Sequence, residues 1–73
     1  MVKLTKAERA VLKVARDRPL DVFDLADQVG ISPDFVFQLC IGLKRRGLVD
    51  WMYAEDEVAP SEAGRKALEQ ANG

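Results

Sequence analysis

The chain has no histidine and a single cysteine, Cys40, among its 73 residues. Without histidine it cannot build a catalytic triad that uses imidazole as the base, and one thiol leaves no nitrogen and sulfur ligand set for a metal. One cysteine also cannot form a disulfide within the monomer, and its place in an apolar helical pattern indicates a buried thiol in a reducing compartment. We therefore expect a protein that is not an enzyme and holds no metal or cofactor.

The chain also lacks long apolar runs. Its composition, 48% hydrophobic and 32% charged, is typical of a soluble globular domain. No apolar run approaches the roughly 20 residues that a membrane-spanning helix needs, and the chain does not start with the apolar region of a signal peptide. We expect one cytoplasmic domain over residues 1–73, with no membrane segment and little volume for a small-molecule ligand.

The net charge of -1 hides an asymmetry along the chain. Residues 1–20 carry six basic and two acidic side chains, whereas residues 47–73 carry two basic and six acidic ones. Residues 21–46 are close to balance, with three basic and four acidic side chains. A separation of charge of this kind bears on partners and on association more than on fold.

Capping residues, prolines and glycines divide the chain into four predicted helices. These helices span residues 6–17, 22–29, 33–46 and 62–71. Thr5 and Glu8 form a capping box at the first start, and Gly30 ends the second helix. Ser32 and Pro33 are an N-cap and a first-turn proline, which places a tight turn between the second and third helices.

Residues 48–53 are rich in strand formers, residues 54–57 form a polar tip, and Val58-Ala59 can return as a short strand. The order is helix, helix, helix, strand, strand, helix, which is a mainly α fold with a small β-hairpin. Helical spacing gives the expected buried positions. These are Ala7, Ala10, Val11, Val14 and Ala15, with Leu12 just off this stripe, then Val22, Phe23, Leu25, Ala26 and Val29, then Val36, Leu39, Cys40 and Leu43, and finally Ala63, Ala67, Leu68 and Ala71.

Two segments of this sequence resemble those of a known family. Residues 24–33, followed by the apolar positions of the third helix and the stop Arg46-Gly47-Leu48-Val49, resemble the helix-turn-helix of winged-helix transcriptional regulators, especially the MarR-like and related small bacterial and archaeal families. Residues 58–68 are similar to the junction after the wing, where these families usually have leucine-threonine-glutamate-alanine-glycine-arginine. The resemblance covers residues 4–70 and implies a winged helix-turn-helix that places its third helix in the major groove.

For function, the resemblance implies a transcriptional regulator that binds double-stranded DNA. The predicted DNA-binding residues are Ser32, Gln38, Lys44, Arg45 and Arg46. Gln38 suits adenine, and Arg45 suits a phosphate or guanine. The chain departs from the family where DNA readers usually carry donors or positive charge, because the outward face of its third helix also has Asp34, Phe35, Phe37, Ile41 and Gly42.

A protein-interaction module with little or no DNA binding is the alternative. It would use Phe35, Phe37 and Ile41 as an exposed apolar anchor. Three carboxylates of the wing, Glu55, Asp56 and Glu57, would select a basic partner. A homodimer would use this patch, the first helix or the fourth helix, and a basic first helix could meet the acidic wing of a neighbour.

Two further features each have two explanations that the sequence leaves open. Lys6, Arg9, Lys13 and Arg16 form a basic stripe on the first helix, which either follows phosphates or is simply a solvated face. Trp51 and Tyr53 alternate on one face of the hairpin, where they either stack on unpaired bases or pack on the helix below.

Overall fold

The computed structural model describes residues 3–52 and 57–71, which form four helices and a three-stranded sheet. The elements are α1 (Lys6–Asp17), β1 (Leu20–Asp21), α2 (Val22–Val29), α3 (Pro33–Arg45), β2 (Val49–Met52), β3 (Glu57–Pro60) and α4 (Glu62–Ala71). The mainly α fold with a hairpin is confirmed, and α3 ends one residue earlier than predicted. In the described ranges, no helix has the length and apolar composition needed to cross a bilayer.

The predicted helix caps are present. The Thr5 hydroxyl accepts the Glu8 N–H at 3.1 Å, and the Glu8 carboxylate accepts the Thr5 N–H at 2.8 Å. Asp21 and Ser32 likewise accept backbone N–H groups at the starts of α2 and α3. Gly30 ends α2 with φ of 83°, a left-handed conformation that side chains disfavour. Local capping therefore determines where α1, α2 and α3 begin and where α2 ends.

A third strand, β1, is absent from the sequence prediction. The sheet order is β1-β3-β2 and both pairings are antiparallel. Val58 lies between Leu20 of β1 and Trp51 of β2, and all three side chains are buried. A strand of two residues is too short to show an alternating pattern, so the sequence carries no signal for it.

Leu12 is fully buried, which contradicts its predicted place beside the buried stripe of α1. The reason is that α1 packs against α2, α3, α4 and β3 together. A helix with neighbours on several sides buries a broader face than one stripe of apolar residues. Leu12 consequently belongs to the core with Leu25, Leu43 and Leu68, the other largest side chains that are fully buried.

Two other predicted core positions are exposed. Phe23 is 66% exposed, because Val22, Leu25 and Ala26 form the buried face of α2 and Phe23 lies about 100° around the helix from Val22. Ala63 is exposed as well, and its neighbour Gly64 is buried instead.

Gly64 lies where α4 crosses the connection between α3 and β2. A Cβ atom on Gly64 would overlap the carbonyl group of Leu48. Ser61 fastens the same junction, because its hydroxyl donates to the Gly47 carbonyl at 2.7 Å and accepts the Gly64 N–H at 3.1 Å. Its backbone N–H donates to the Leu48 carbonyl at 3.0 Å. The close approach of the Leu48 carbonyl therefore explains why position 64 is glycine in this fold.

Candidate nucleic-acid interface

Helix α3 is fixed by its buried face. Val36, Cys40 and Leu43 have no exposed surface and pack in the core, as predicted. Ser32 caps the helix start and remains exposed. Because the buried face holds α3 along its length, the opposite face is presented to solvent in one orientation.

The outward face of α3 carries Asp34, Gln38 and Arg45 along one line. They are four and seven residues apart, so they project within about 40° of one another around the helix axis. All three side chains are exposed, and in the described residues neither Gln38 nor Arg45 has a side-chain hydrogen bond or ion pair. This face offers a carboxylate near the helix start, an amide near its middle, and a guanidinium about 10 Å further along.

The basic residues at the end of α3 have different roles. Nη1 of Arg46 is 3.2 Å from a carboxylate oxygen of Glu8, and Nη2 of Arg46 donates to the Lys3 carbonyl at 2.6 Å. It therefore fastens the start of α1 to the end of α3. Arg45 is exposed and Lys44 is half-buried. The structure thus brings Arg45 onto the same line as Gln38 and gives Arg46 a structural contact.

The predicted apolar patch does not form one surface. Phe35 is 48% exposed and Phe37 is 44% exposed, but residues two apart lie about 200° apart around a helix. Ile41 is half-buried and packs against the core, so it is less exposed than the sequence predicted. Phe35 and Phe37 consequently lie on opposite flanks of α3.

Phe37 instead contributes to an open pocket between the starts of α2 and α3. This pocket, with a volume of about 230 Å³, is lined by Val22, Phe23, Pro33, Asp34 and Phe37. Phe23 was predicted to lie in the core rather than at the surface. A signal was available, because the other apolar residues of α2 fall on one helical face and Phe23 falls outside it.

Trp51 packs against Phe37 of α3, which agrees with the second of the two explanations that the sequence left open. Its ring meets that of Phe37 edge to face, with centroids 5.3 Å apart and an interplanar angle of 76°. Trp51 is 8% exposed, which leaves too little surface for stacking on a base. Tyr53, its proposed companion, lies outside the described residues.

The described part of the wing is acidic. Glu57 is half-buried and lies directly opposite Asp21 in the pairing of β1 with β3. Two carboxylates on directly opposite residues of paired strands repel each other, and both would repel a nearby phosphate. Glu55 and Asp56, the other predicted wing carboxylates, lie outside the described residues.

Cys40 is fully buried, so neither solvent nor a reagent in solution reaches its thiol in the folded protein. Burial raises the pKa of its thiol from 9.0 to about 11. The folded state favours the neutral thiol, so this group makes the free energy of unfolding fall as pH rises from 9.0 toward about 11.

We expect the Cys40 thiol to react slowly in the folded protein, because the thiolate is the nucleophile. At pH 8 the raised pKa alone lowers the thiolate fraction about 100-fold, and burial excludes the reagent further. The rate of reaction with Ellman's reagent, measured with and without denaturant, tests this. Rates within tenfold of each other would show that Cys40 is accessible.

The two helices joined by a tight turn, the hairpin and the closing helix define a winged helix-turn-helix domain. No family model matches the chain, and no curated protein matches it. Among solved structures, the chain is similar to BpsR of Bordetella bronchiseptica, whose DNA binding is regulated by 6-hydroxynicotinic acid, with 27% identity and a TM-score of 0.85. The match covers 93% of this chain and 52% of the BpsR chain, so this chain spans about half of that protein. The winged-helix fold that the sequence predicted is thereby confirmed.

Proposed function

We propose that this protein is a winged-helix transcriptional regulator that binds double-stranded DNA with α3 in the major groove. One observation carries the proposal. Gln38 and Arg45 are exposed on the solvent-facing line of α3, without partners among the described residues, in a fold similar to that of a DNA-binding protein.

In this proposal the side chains of α3 divide the contacts. Gln38 binds the edge of adenine through its amide, and Arg45 binds a phosphate or guanine. Ser32, exposed at the helix start, donates to the backbone of the DNA. Lys44 and Arg46 add positive charge near phosphates, although Arg46 does so from its contacts with Glu8 and Lys3.

Carboxylates on the same surface weaken its binding to DNA of any sequence. Asp34 lies on the line of Gln38, and Glu57 adds a carboxylate on the wing. Non-specific affinity comes largely from release of counterions by basic residues at phosphates, and these carboxylates oppose it. Asp34 can instead accept a hydrogen bond from the amino group of cytosine, so we propose that the protein has a reduced general affinity for DNA and a preference for particular bases.

Replacing Arg45 with alanine tests the proposal. We expect DNA affinity to fall about tenfold and the slope of log affinity against log salt to decrease by about one, because one phosphate contact is lost. Fluorescence anisotropy of a labelled random-sequence duplex, measured from low to moderate salt, gives both quantities. Arg18→Ala removes the same charge from an exposed position outside α3 and is the matched control. Equal losses in the two variants would contradict a specific role for Arg45.

A protein-binding role is the second candidate, and the pocket formed by Phe23, Pro33 and Phe37 favours it. Exposed apolar surface of this kind on a small domain usually marks a partner site. Phe35, on the other flank of α3, is not among the residues that line this pocket. The acidic residues nearby would favour a basic partner.

A further inference from the structure

The outer face of α1 is basic and has no partner in the described residues. Lys6, Arg9, Lys13 and Arg16, which we call the basic face, project from the side of α1 away from the buried Val11 and Ala15. Arg9 is half-buried and the other three are exposed. None of the four forms an ion pair within the described chain, whereas Arg46 and Lys66 do. An unpaired row of four cations is available to bind an anionic surface.

A surface of the opposite charge lies on α2 and α3. It combines two exposed aromatic rings with three exposed carboxylates, and we call it the acidic aromatic surface. Its residues are Phe23, Asp24, Asp27, Asp34 and Phe37. Asp34 lines the same pocket as both rings, and Asp27 follows Phe23 by four residues on one face of α2. In the described part of the chain, none of these carboxylates forms an ion pair.

The two surfaces match in chemistry. Lysine and arginine side chains pack their apolar stems on aromatic rings while their charged ends reach carboxylates. An ammonium or guanidinium over a phenylalanine face gains a further attraction. Ala10, which lies within the basic face, is small enough to let the helix approach the pocket closely.

We propose that copies of this chain associate head to tail, with the basic face of one copy on the acidic aromatic surface of the next. The proposal rests on the second function proposed above and names its partner as a second copy. Because the two surfaces differ, each added copy leaves one of each exposed, and the assembly grows with concentration. Asp34 and Phe37 belong to α3, so a bound neighbour covers part of the helix and competes with DNA.

Sedimentation velocity of the full chain over a range of concentrations tests the association. At low salt the average mass should rise with concentration above the 8.1 kDa of the monomer, and at 0.5 M salt it should return to that value, because salt screens the contact. Phe23→Ala, at a position that is 66% exposed, should weaken association at least tenfold without loss of fold.

Charge reversal identifies the two surfaces. One variant carries Arg9→Glu and Lys13→Glu, and the other carries Asp27→Lys and Asp34→Lys. Each variant alone should stay monomeric at low salt, because the first leaves the basic face with no net charge and the second gives the acidic aromatic surface a net positive charge. An equal mixture should form a complex with one copy of each, because the first variant keeps the acidic aromatic surface and the second keeps the basic face. Circular dichroism confirms that both variants fold.

The outcomes separate this proposal from the function on which it rests. A wild-type chain that stays monomeric at low salt overturns self-association and leaves the pocket with an unlike protein partner. Wild-type association that survives Phe23→Ala overturns the pocket as the protein-binding site. Association of the wild type without recovery in the mixed variants shows that other surfaces are used and also overturns the proposal.

Discussion

Replacing Gly64 with alanine is expected to lower the free energy of unfolding by about 3 kcal/mol, because the added methyl group enters the space of the Leu48 carbonyl. That carbonyl is backbone and also accepts the Ser61 N–H at 3.0 Å, so neither partner can move without separating α4 from the sheet. For a domain of this size the loss corresponds to a fall in melting temperature of about 15 °C. Thermal unfolding followed by circular dichroism measures it.

Gly42→Ala is the matched control. Gly42 also lies within a helix, but a Cβ atom there meets nothing within 4 Å. Alanine restricts the unfolded chain more than glycine does, so this variant should gain about 0.5–1 kcal/mol. If Gly64→Ala were as stable as Gly42→Ala, the close approach of α4 to the α3–β2 connection would be absent in the protein.

Replacing Leu12 with alanine is expected to lower the free energy of unfolding by about 3 kcal/mol, the usual loss when a fully buried leucine leaves a cavity. Leu12 belongs to the buried face of α1, and α1 packs against α2, α3, α4 and β3, so a cavity in this core is enclosed by several elements that limit its collapse. The midpoint of urea unfolding, with its slope, gives the change.

Val14→Ala is the comparison for Leu12→Ala, since Val14 is half-buried on the same helix. It should lose about 1 kcal/mol, because fewer methyl groups leave a less enclosed site. A loss at Leu12 no larger than at Val14 would place Leu12 at the edge of the core, where the sequence had put it.

Local signals account for the parts of the fold that the sequence predicted. Thr5 with Glu8, and Ser32 with Pro33, act within a few residues of chain, so their effects can be read without knowing the tertiary structure. The width of a buried face depends on how many elements surround it, which is why Leu12 was misplaced. The strand β1 has only two residues, and only its partner β3 defines it.

The sequence predicted the part of the candidate site that depends on local helical spacing and missed the part that depends on tertiary contacts. Helical spacing identified Gln38 and Arg45 as outward residues, but it could not separate Arg45 from Arg46. That difference comes from Glu8 and the Lys3 carbonyl, which the fold brings to Arg46 from about 40 residues away. The pocket likewise joins Phe23 and Phe37 from two helices, a contact that requires the tertiary structure.

A titration of the isotopically labelled protein with a duplex DNA at low salt, followed by amide chemical shifts, tests the central proposal most directly. A chain of 73 residues is small enough for every amide to be followed. If α3 enters the major groove, the largest changes fall at residues 32–38 and at Arg45, and at a concentration where the chain is monomeric the outer face of α1 changes little. No change with DNA, or changes confined to residues 6–16, would contradict the placement of α3 on DNA.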